Sequence, residues 1–250
     1  MYNSDCVVFV TVRTASKRLP KKALRQINNK PLIQILAGRI GTSNFVKKLI
    51  VCTTRQKSDD KLVKILKKNN VSVFRGDNVD ILNRLYMAAK KYKIKQFIVV
   101  EGDDFFCDLL LVKQTWNKLS QKKYDFLSWE DVPFGASPVG IKTEKLLALI
   151  KKKTKKNTET GWIKVIRESG LFKVGTLKPK IKKLKRPDIR LSIDYMEDFN
   201  LAERIYERLP EGFTLIDIIN IINKNPDLLK INYKVKQKYK QYFARKMTKL

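Results

Sequence analysis

The chain has 250 residues, a formal net charge of +30, 43% hydrophobic residues and no histidine. This length can bury one sizeable core, and the hydrophobic content excludes disorder along the whole chain. The absence of histidine removes the most common general base and a common zinc ligand. Catalysis would therefore have to use carboxylates, Lys, Arg or a bound metal ion.

The positive charge comes mainly from lysine, since 41 of the 54 basic residues are Lys and 13 are Arg. Arg supplies the planar donors that read phosphates and base edges, so a Lys excess spread along the chain is more typical of a solvated surface than of a nucleic-acid groove. The same charge would attract anionic small molecules such as nucleoside triphosphates. Charge alone leaves both kinds of partner open.

Three cysteines, Cys6, Cys52 and Cys107, lie in apolar runs without paired or metal-type spacing. This pattern favours buried thiols in a reducing compartment. The sequence shows no signal segment at its start and no apolar run near the ~20 residues that a membrane helix needs. We expect a cytoplasmic protein that has no membrane partner.

In the first half of the chain, β-branched runs alternate with helical patterns. Strands are predicted at residues 6–12, 49–53, 71–74 and 97–100, and helices at residues 31–40, 61–68 and 81–89. The alternation is typical of βαβ units. We therefore predict an α/β fold with a Rossmann-like, mainly parallel sheet and helices on both faces.

The second half is less regular. Strands are predicted at residues 126–129, 138–142 and 190–193, and helices at residues 144–150, 197–209 and 214–223. The Lys-rich run 151–156 is typical of a solvated helix end and loop. We divide the chain into a catalytic domain, residues 1–231, and a basic tail, residues 232–250, that is either a helix or loosely ordered. The tail is expected to be dispensable unless its aromatic residues Tyr239, Tyr242 and Phe243 pack on the body.

A cationic loop follows the first predicted strand, with the sequence Arg13-Thr-Ala-Ser-Lys-Arg-Leu-Pro-Lys-Lys22. In an α/β sheet such a loop lies at the carboxyl edge, where ligands bind. Cations and exposed backbone N–H groups at that place suit a triphosphate. Composition alone also fits a merely basic connection.

Acidic residues follow two other predicted strands. Glu101-Gly-Asp-Asp104 comes after the fourth strand, and Asp194 ends the predicted strand at residues 190–193. Carboxylates at a sheet edge can hold a hard cation against phosphate oxygens, although an isolated Gly-Asp-Asp is often a turn. Glu197 and Asp198 are typical of stabilisation at a helix N-terminus.

The cationic loop resembles the opening motif of the CMP-sugar acid synthetases and spore-coat polysaccharide cytidylyltransferases, a family that includes the acylneuraminate and 3-deoxy-manno-octulosonate cytidylyltransferases. The matching residues are Arg13, Ser16, Arg18, Leu19, Pro20, Lys22 and Leu24, followed by Lys30-Pro31-Leu32. Two positions depart from the motif, because Lys21 and Asn29 stand where the family has Gly.

The resemblance extends to three further segments. Arg75-Gly-Asp-Asn-Val-Asp-Ile-Leu-Asn-Arg84 matches a segment that lines the family's nucleotide pocket, which implies that Asp80 and Arg84 lie near the nucleotide or acceptor. A helix N-terminal carboxylate with an i,i+4 partner is a compatible structural role for that pair. Asp103 and Asp194 match the family's magnesium ligands, although Phe105 and Tyr195-Met196 replace the neighbouring Pro and Thr-Pro.

The resemblance implies a homodimeric, Mg2+-dependent enzyme that transfers CMP from CTP to a hydroxyl of a sugar acid or related acceptor and releases pyrophosphate. It implies catalytic roles for Arg13, Arg18 and Lys22 and nucleotide contacts from Arg13, Ser16, Arg18, Lys22, Asp80 and Arg84. Residues 129–187 match least well. In this section Phe134, Gly135 and the run Thr158 to Trp162, with Thr160 foremost, are predicted acceptor contacts. Three alternatives stay open: another nucleotide, a phosphorylated acceptor, or a nonenzymatic basic adaptor on the same fold that binds nucleic acid or another polyanion.

Overall fold

The computed structural model describes residues 5–154 and 156–247, without the side chains of residues 243 and 245–247. The strands are β1 (Cys6–Thr11), β2 (Gln26–Ile27), β3 (Lys30–Pro31), β4 (Val46–Thr54), β5 (Ser72–Gly76), β6 (Gln96–Glu101), β7 (Phe126–Trp129), β8 (Val139–Lys142) and β9 (Val174–Leu177). The helices are α1 (Leu32–Gly41), α2 (Asp60–Lys68), α3 (Ile81–Lys91), α4 (Leu109–Ser120), α5 (Thr143–Lys152), α6 (Trp162–Glu168), α7 (Met196–Tyr206), α8 (Leu215–Lys224) and α9 (Val235–Met247).

Seven of these strands form one sheet in the order β5-β4-β1-β6-β8-β7-β9. Strands β5, β4, β1 and β6 run parallel, β8 is antiparallel to both β6 and β7, and β9 is parallel to β7. Thr11 at the end of β1 pairs with Glu101 at the end of β6. The loops that follow these two strands therefore emerge side by side, and the predicted mainly parallel sheet is confirmed.

Successive residues of β1 point to opposite faces, and both faces are covered by helices. Val8 and Val10 belong to a buried cluster with α1, α2 and α4. Val7 and Phe9 belong to a second buried cluster with α3, α5 and α6. Each of these side chains stabilises the fold by about 1.5–3 kcal/mol relative to an exposed position. The predicted arrangement of helices on both faces is confirmed.

A third buried cluster joins the C-terminal helices α7 and α8 to the sheet through Phe105, Phe106 and residues 189–193. Asp108 links the parts directly, because one carboxylate oxygen accepts from the Leu111 backbone N–H at 3.0 Å and the other from the Leu215 N–H at 2.8 Å. One side chain thus caps α4 and holds the start of α8. This docking brings residues 189–198 to the carboxyl edge of the sheet.

Most predicted elements lie within three residues of the observed ones, but the strand predicted at residues 190–193 is wrong. These residues are extended and form an isolated bridge between Arg190 and Phe134. The Leu191 N–H donates to the Phe134 carbonyl at 2.7 Å, and the Ile193 N–H donates to the Asp103 carbonyl at 2.9 Å. The segment crosses from one connection to another, so it bonds to two partners instead of pairing along one strand.

The sequence pattern does not predict the elements between residues 160 and 180. Strand β9 has four residues and pairs with β7, while α6 has seven residues, so both are too short for a clear periodic pattern.

The tail forms the helix α9, so of the two predicted states of the tail the helix is the observed one. No helix in the described residues is long and apolar enough to cross a membrane. Cys6, Cys52 and Cys107 are buried free thiols, as predicted.

Candidate active site

A cleft of about 850 Å³ opens at the carboxyl edge of the sheet. Its walls are the loop after β1, the end of β6, the start of α3, the segment 154–160 and one residue of α9. The lining residues are Thr11, Val12, Arg13, Ala15, Ser16, Lys17, Arg18, Lys22, Ile81, Arg84, Glu101, Gly102, Asp103, Thr154, Asn157, Glu159, Thr160 and Tyr242. This is the edge at which parallel α/β sheets bind ligands.

The loop after β1 accommodates Lys21 at the position where the motif has Gly. Lys21 has φ 53° and ψ 29°, which is the left-handed conformation that Gly adopts most easily, and its side chain is exposed. A 3-10 turn, Lys22–Leu24, follows directly. Asn29, the second departure, is also left-handed with φ 60°. Both substitutions therefore keep a backbone conformation that Gly would favour.

Asp59 anchors the start of this loop. Its Oδ1 accepts from the Thr14 N–H at 2.8 Å and the Thr14 hydroxyl at 2.6 Å, while Oδ2 accepts from the Thr53 hydroxyl at 2.8 Å and from the Thr54 hydroxyl. Burial opposes the charged form, but these hydrogen bonds from Thr14, Thr54 and Thr53 lower the Asp59 pKa overall. The buried carboxylate joins β4 to the cationic loop.

Gly102 allows the ends of β1 and β6 to approach closely. Its N–H donates to the Thr11 carbonyl at 2.8 Å, and a Cβ at this position would lie 2.6 Å from Val12 Cβ. A side chain would separate the two connections. The glycine therefore permits Asp103 to face the cationic loop.

Lys22 lies between the two predicted metal ligands. Its Nζ is 2.5 Å from Asp103 Oδ2 and 3.0 Å from Asp194 Oδ1. Although burial opposes a charged amine, Asp103 and Asp194 raise the Lys22 pKa to about 12. The structure thus brings Lys22, Asp103 and Asp194 together, and a cation already stands between the carboxylates.

Asp194 is also held by two arginines and by its own turn. Arg18 Nη2 lies 2.5 Å from Asp194 Oδ1, and Arg190 Nη2 lies 2.9 Å from Oδ2. The Asp194 N–H donates to Asp198 Oδ2 at 3.0 Å, and Arg190 Nε donates to Asp198 Oδ1 at 3.0 Å. Burial opposes the charged form, but Lys22 and Arg18 lower the Asp194 pKa overall. Asp198 has the predicted role at the start of α7, since its Oδ2 also accepts from the Tyr195 N–H at 3.1 Å.

Two more acidic residues, Glu101 and Asp104, lie close enough to Asp103 to feel its charge. Burial and then the charge of Asp103 raise the Glu101 pKa to about 7. A hydrogen bond from Trp162 Nε1 at 2.7 Å acts in the opposite direction, because it favours the charged carboxylate. Burial and the charges of Asp103 and Glu101 raise the Asp104 pKa. Both carboxyl groups therefore keep their protons to a higher pH than a free carboxyl group would.

Arg84, on the first turn of α3, also lines the cleft and is fully buried. It forms an ion pair with Glu159 and donates from Nε to the Asp77 carbonyl at 2.8 Å. Arg13 Nε lies 3.2 Å from the other oxygen of Glu159. The i,i+4 interpretation predicted a pair between Arg84 and Asp80 along α3, and this pairing is wrong. Arg84 pairs instead with Glu159, which lies on the segment 154–160.

Asp80 is bonded to the segment 154–160, which forms one wall of the cleft. Its Oδ1 accepts from the Asn83 N–H at 3.2 Å, which caps α3, and from the Thr158 hydroxyl at 2.7 Å. Lys153 Nζ lies 2.5 Å from Oδ2. The interpretation of the whole run 151–156 as solvated is therefore wrong for Lys153, whose ammonium is drawn inward by this carboxylate. Asp80 supports the segment that carries Glu159 and Thr160.

Of the predicted acceptor contacts, Thr160 and its neighbour Glu159 line the cleft. Phe134 packs with Tyr239 at 5.4 Å between ring centroids. Gly135 has φ 89°, and a Cβ there would lie 2.3 Å from the Ser192 backbone nitrogen. Gly135 is thus required for close backbone packing. Phe134 and Gly135 lie where the extended segment 189–193 crosses, and their predicted contact with an acceptor stays untested.

The tail contacts the site through two tyrosines of α9. The Arg18 guanidinium lies 4.4 Å from the Tyr242 ring centroid and 5.4 Å from that of Tyr239. Tyr242 also lines the cleft. The boundary at residue 231 stays a prediction, but this contact removes the reason for expecting the tail to be dispensable.

Residues 7–221 match the family model described as Cytidylyltransferase. The chain belongs to the cytidylyltransferase family. Over 237 residues it is 32% identical to the uncharacterized protein MJ1063 of Methanocaldococcus jannaschii, covering 92% of this chain and 95% of that protein. Over 232 residues it is 25% identical to the spore coat polysaccharide biosynthesis protein SpsF of Bacillus subtilis, covering 90% and 96%. The resemblance inferred from the motifs is confirmed.

A solved cytidylyltransferase structure from Leptospira borgpetersenii serovar Hardjo-bovis shares the fold with a TM-score of 0.80 and 25% identity. The superposition covers 90% of this chain and 96% of that one. The Rossmann-like architecture and the family are therefore supported by sequence and by structure.

Several residues of this cytidylyltransferase site have no role predicted by the sequence motifs. They are Glu101, Arg190, Tyr195 and Asn232. The sequence could have identified Glu101, because it follows the same predicted strand as Asp103 and lies two residues before it. The others lie on segments without a periodic pattern, so the sequence offers no comparable signal.

Proposed function

We propose that this chain transfers CMP from CTP to a hydroxyl group of a sugar acid or related acceptor and releases pyrophosphate. The observation that carries the proposal is the convergence of Asp103 and Asp194 on one cation, the Lys22 ammonium, beside Arg18 in the main cleft. Membership in the cytidylyltransferase family supports the nucleotidyl transfer.

Asp103 and Asp194 are the residues that would hold a magnesium ion. Each places an oxygen on Lys22 Nζ, so the two carboxylates already face one position for a cation. In the described residues no group of three or more Asp, Glu, Cys or His side chains is arranged to hold a metal. Two carboxylates suffice for Mg2+, which completes its coordination with water and substrate phosphates. When bound, the ion would supply Lewis-acid polarisation of the α-phosphate.

The cationic loop would bind the triphosphate. Lys22, Arg18 and Arg13 line the same wall of the cleft and would neutralise the charge that develops on the departing pyrophosphate. Arg18 Nη1 is buried and has no hydrogen-bond partner in the described part of the chain. A buried donor of this kind is ready for an anionic oxygen. Ser16 lies beside these residues as a further predicted nucleotide contact.

The part of the cleft formed by the start of α3 and the segment 154–160 would receive the nucleoside and the acceptor. Arg84 and Glu159 form a fixed, buried pair there, and Thr160 lies beside them. Arg84 stays a predicted nucleotide contact and Thr160 a predicted acceptor contact. We assign Asp80 an indirect role, because its carboxylate holds Thr158 and Lys153.

Pyrophosphate release tests the proposal. The purified chain is incubated with Mg2+ and each of the four ribonucleoside triphosphates, against a panel of sugar acids. We expect release with CTP and an acid acceptor, and none without Mg2+. A preference for another nucleotide or a phosphorylated acceptor would contradict the substrate assignment. Tight, salt-dependent binding of single-stranded nucleic acid without release would favour a nonenzymatic adaptor.

The resemblance also implies a homodimer in the cytoplasm. We retain both as proposals. Light scattering coupled to size-exclusion chromatography measures the mass, and a monomer of 29.2 kDa at micromolar concentration would contradict the dimer.

A further inference from the structure

Helix α9 is anchored to the body before it reaches the cleft. Asn232 Nδ2 donates to the Arg190 carbonyl at 3.1 Å and to Asp198 Oδ1 at 2.9 Å. Val235, the first residue of α9, is 0% exposed. Lys238 Nζ lies 2.8 Å from Glu197 Oε1. These contacts hold the helix against α7 and the segment that carries Asp194.

Beyond this anchor, tyrosines surround Arg18. The guanidinium Cζ lies 4.4 Å from the ring centroid of Tyr242 and 5.4 Å from those of Tyr239 and Tyr195. We call Tyr195, Tyr239 and Tyr242 the tyrosine clamp. Aromatic faces attract a guanidinium electrostatically and leave its N–H edge available for hydrogen bonds. The clamp therefore restricts the position of Arg18 without occupying its donors.

Tyr239 also contacts the second arginine of the site. Arg190 Cζ lies 4.7 Å from the Tyr239 ring centroid and 5.1 Å from that of Phe134. Arg18 donates to Asp194 Oδ1 and Arg190 donates to Asp194 Oδ2. One tail residue thus packs against both arginines that pair with the predicted metal ligand Asp194.

Within the clamp, Arg18 uses only part of its donor capacity. Nη2 donates to Asp194, whereas Nη1 is buried without a hydrogen-bond partner in residues 5–154 and 156–247. Charged groups buried with an unmet donor are costly, so this donor is suited to an anionic ligand. Tyr242, whose ring packs against Arg18, lines the cleft together with Arg18.

We infer that α9 is part of the active site and that Tyr242 and Tyr239 are positioning residues, which hold Arg18 so that its free donor meets the pyrophosphate part of the nucleotide. This inference rests on the proposed function for its substrate, but pyrophosphate binding can be measured without turnover. It assigns a role to the tail that the four sequence motifs did not contain.

The test is calorimetric titration of the full chain with inorganic pyrophosphate in the presence of Mg2+. Tyr242→Leu keeps an apolar side chain but removes the aromatic face, and we expect pyrophosphate affinity to fall by about fivefold to tenfold. Tyr242→Phe keeps the face and should bind like wild type. Tyr233→Leu is the matched control, because Tyr233 precedes α9 and is 79% exposed.

The Arg18→Gln background separates positioning from stability. If Tyr242 acts through Arg18, Tyr242→Leu adds little to the loss already caused by Arg18→Gln. Additive losses, or wild-type affinity in Tyr242→Leu, would overturn the inference. So would a wild-type protein that does not bind pyrophosphate. The expected pattern in a protein that releases no pyrophosphate from CTP would support the clamp while contradicting the proposed function.

Discussion

The Lys22 ammonium lies 2.5 Å from Asp103 Oδ2, in a cleft that both residues line. The same nitrogen contacts Asp194 Oδ1 at 3.0 Å, so one lysine bridges the two carboxylates proposed to hold Mg2+. Binding of a metal and a triphosphate would require a redistribution of these charges. Lys22 is therefore the residue whose replacement is most informative.

We expect Lys22→Ala to reduce kcat/KM by about 10²-fold or more, since removal of one donor from a developing charge commonly has an effect of this size. Lys21→Ala is the neighbouring control and should change kcat/KM by less than about twofold, because the Lys21 side chain is exposed. Steady-state pyrophosphate release measures both. Equal losses would indicate a general basic patch.

The pH dependence of Lys22 follows from its pKa of about 12, which is raised by Asp103 and Asp194 against the effect of burial. The pKa of Lys22 in the folded protein lies above the ordinary pKa of Lys, about 10.4. The ion pair therefore stabilises the fold fully below about pH 10.4, and this stabilisation is lost as the pH rises through about 12. We therefore expect no loss of activity from Lys22 titration between about pH 6 and 9. A wild-type activity loss in that range that is absent in Lys22→Arg would contradict this.

The metal assignment predicts that Asp103→Asn and Asp194→Asn each lower turnover by about 10 to 100-fold at limiting Mg2+. Asp194→Asn should also lower the melting temperature, because Arg18, Lys22 and Arg190 all pair with the buried carboxylate. Asp227→Asn, at an exposed position, is the control. Wild-type turnover in both active-site variants under limiting Mg2+ would refute the assignment.

Asp59 makes a prediction about stability and pH. Asp59→Ala should cost at least about 3 kcal/mol at pH 7, since it leaves several buried donors of Thr14, Thr53 and Thr54 unpaired. Asp60→Ala is the adjacent control. Asp60 is 60% exposed on its side chain, and its pair with Arg75 is worth less than about 1 kcal/mol.

The sign of the Asp59 effect follows from its lowered pKa. The carboxylate stabilises the fold above the unfolded-state pKa, about 3.9, and the contribution disappears as pH falls through the lower native value. Urea unfolding across pH 3 to 7 should therefore show the difference between wild type and Asp59→Ala shrinking in acid. A difference that is constant over this range would show that Asp59 does not contribute through its charge.

Two lysines of the charged run should behave differently. Lys153→Gln is expected to raise KM for CTP severalfold, because it releases Asp80 and loosens the loop that carries Glu159. Lys151→Gln should leave KM unchanged, since Lys151 is exposed at the end of α5. Matching effects of the two substitutions on KM would mean that only the overall charge matters.

Truncation after Tyr233 tests the role of the tail as a whole. We expect a large fall in kcat/KM, because the change removes Tyr239 and Tyr242 from Arg18. The melting temperature should fall as well, since Val235 is buried. The truncated chain keeps Asn232 and hence its bond to Asp198. Undiminished pyrophosphate release would restore the view that the tail is dispensable.

The sequence alone determined the first half of the sheet and the places where chemistry could occur. Continuous apolar runs in β1 and β6 predict strands covered on both faces, and residues that follow parallel strands lie at one edge of the sheet. The cationic loop and Asp103 are therefore predicted to lie at the same edge of the sheet, and the motifs around Lys22 indicate the family. The pairing of β1 with β6, which places them side by side, comes from the structure.

The tertiary structure decided which charges pair and which segments complete the cleft. Asp194 reaches Asp103 on an extended segment that no strand pattern describes, Lys153 turns inward to Asp80, and Tyr239 and Tyr242 dock on Arg18. Sequence periodicity reports burial within one helix or strand. Ion pairs and cation–aromatic contacts between distant segments have no period, so they depend on how the packed elements bring those side chains together.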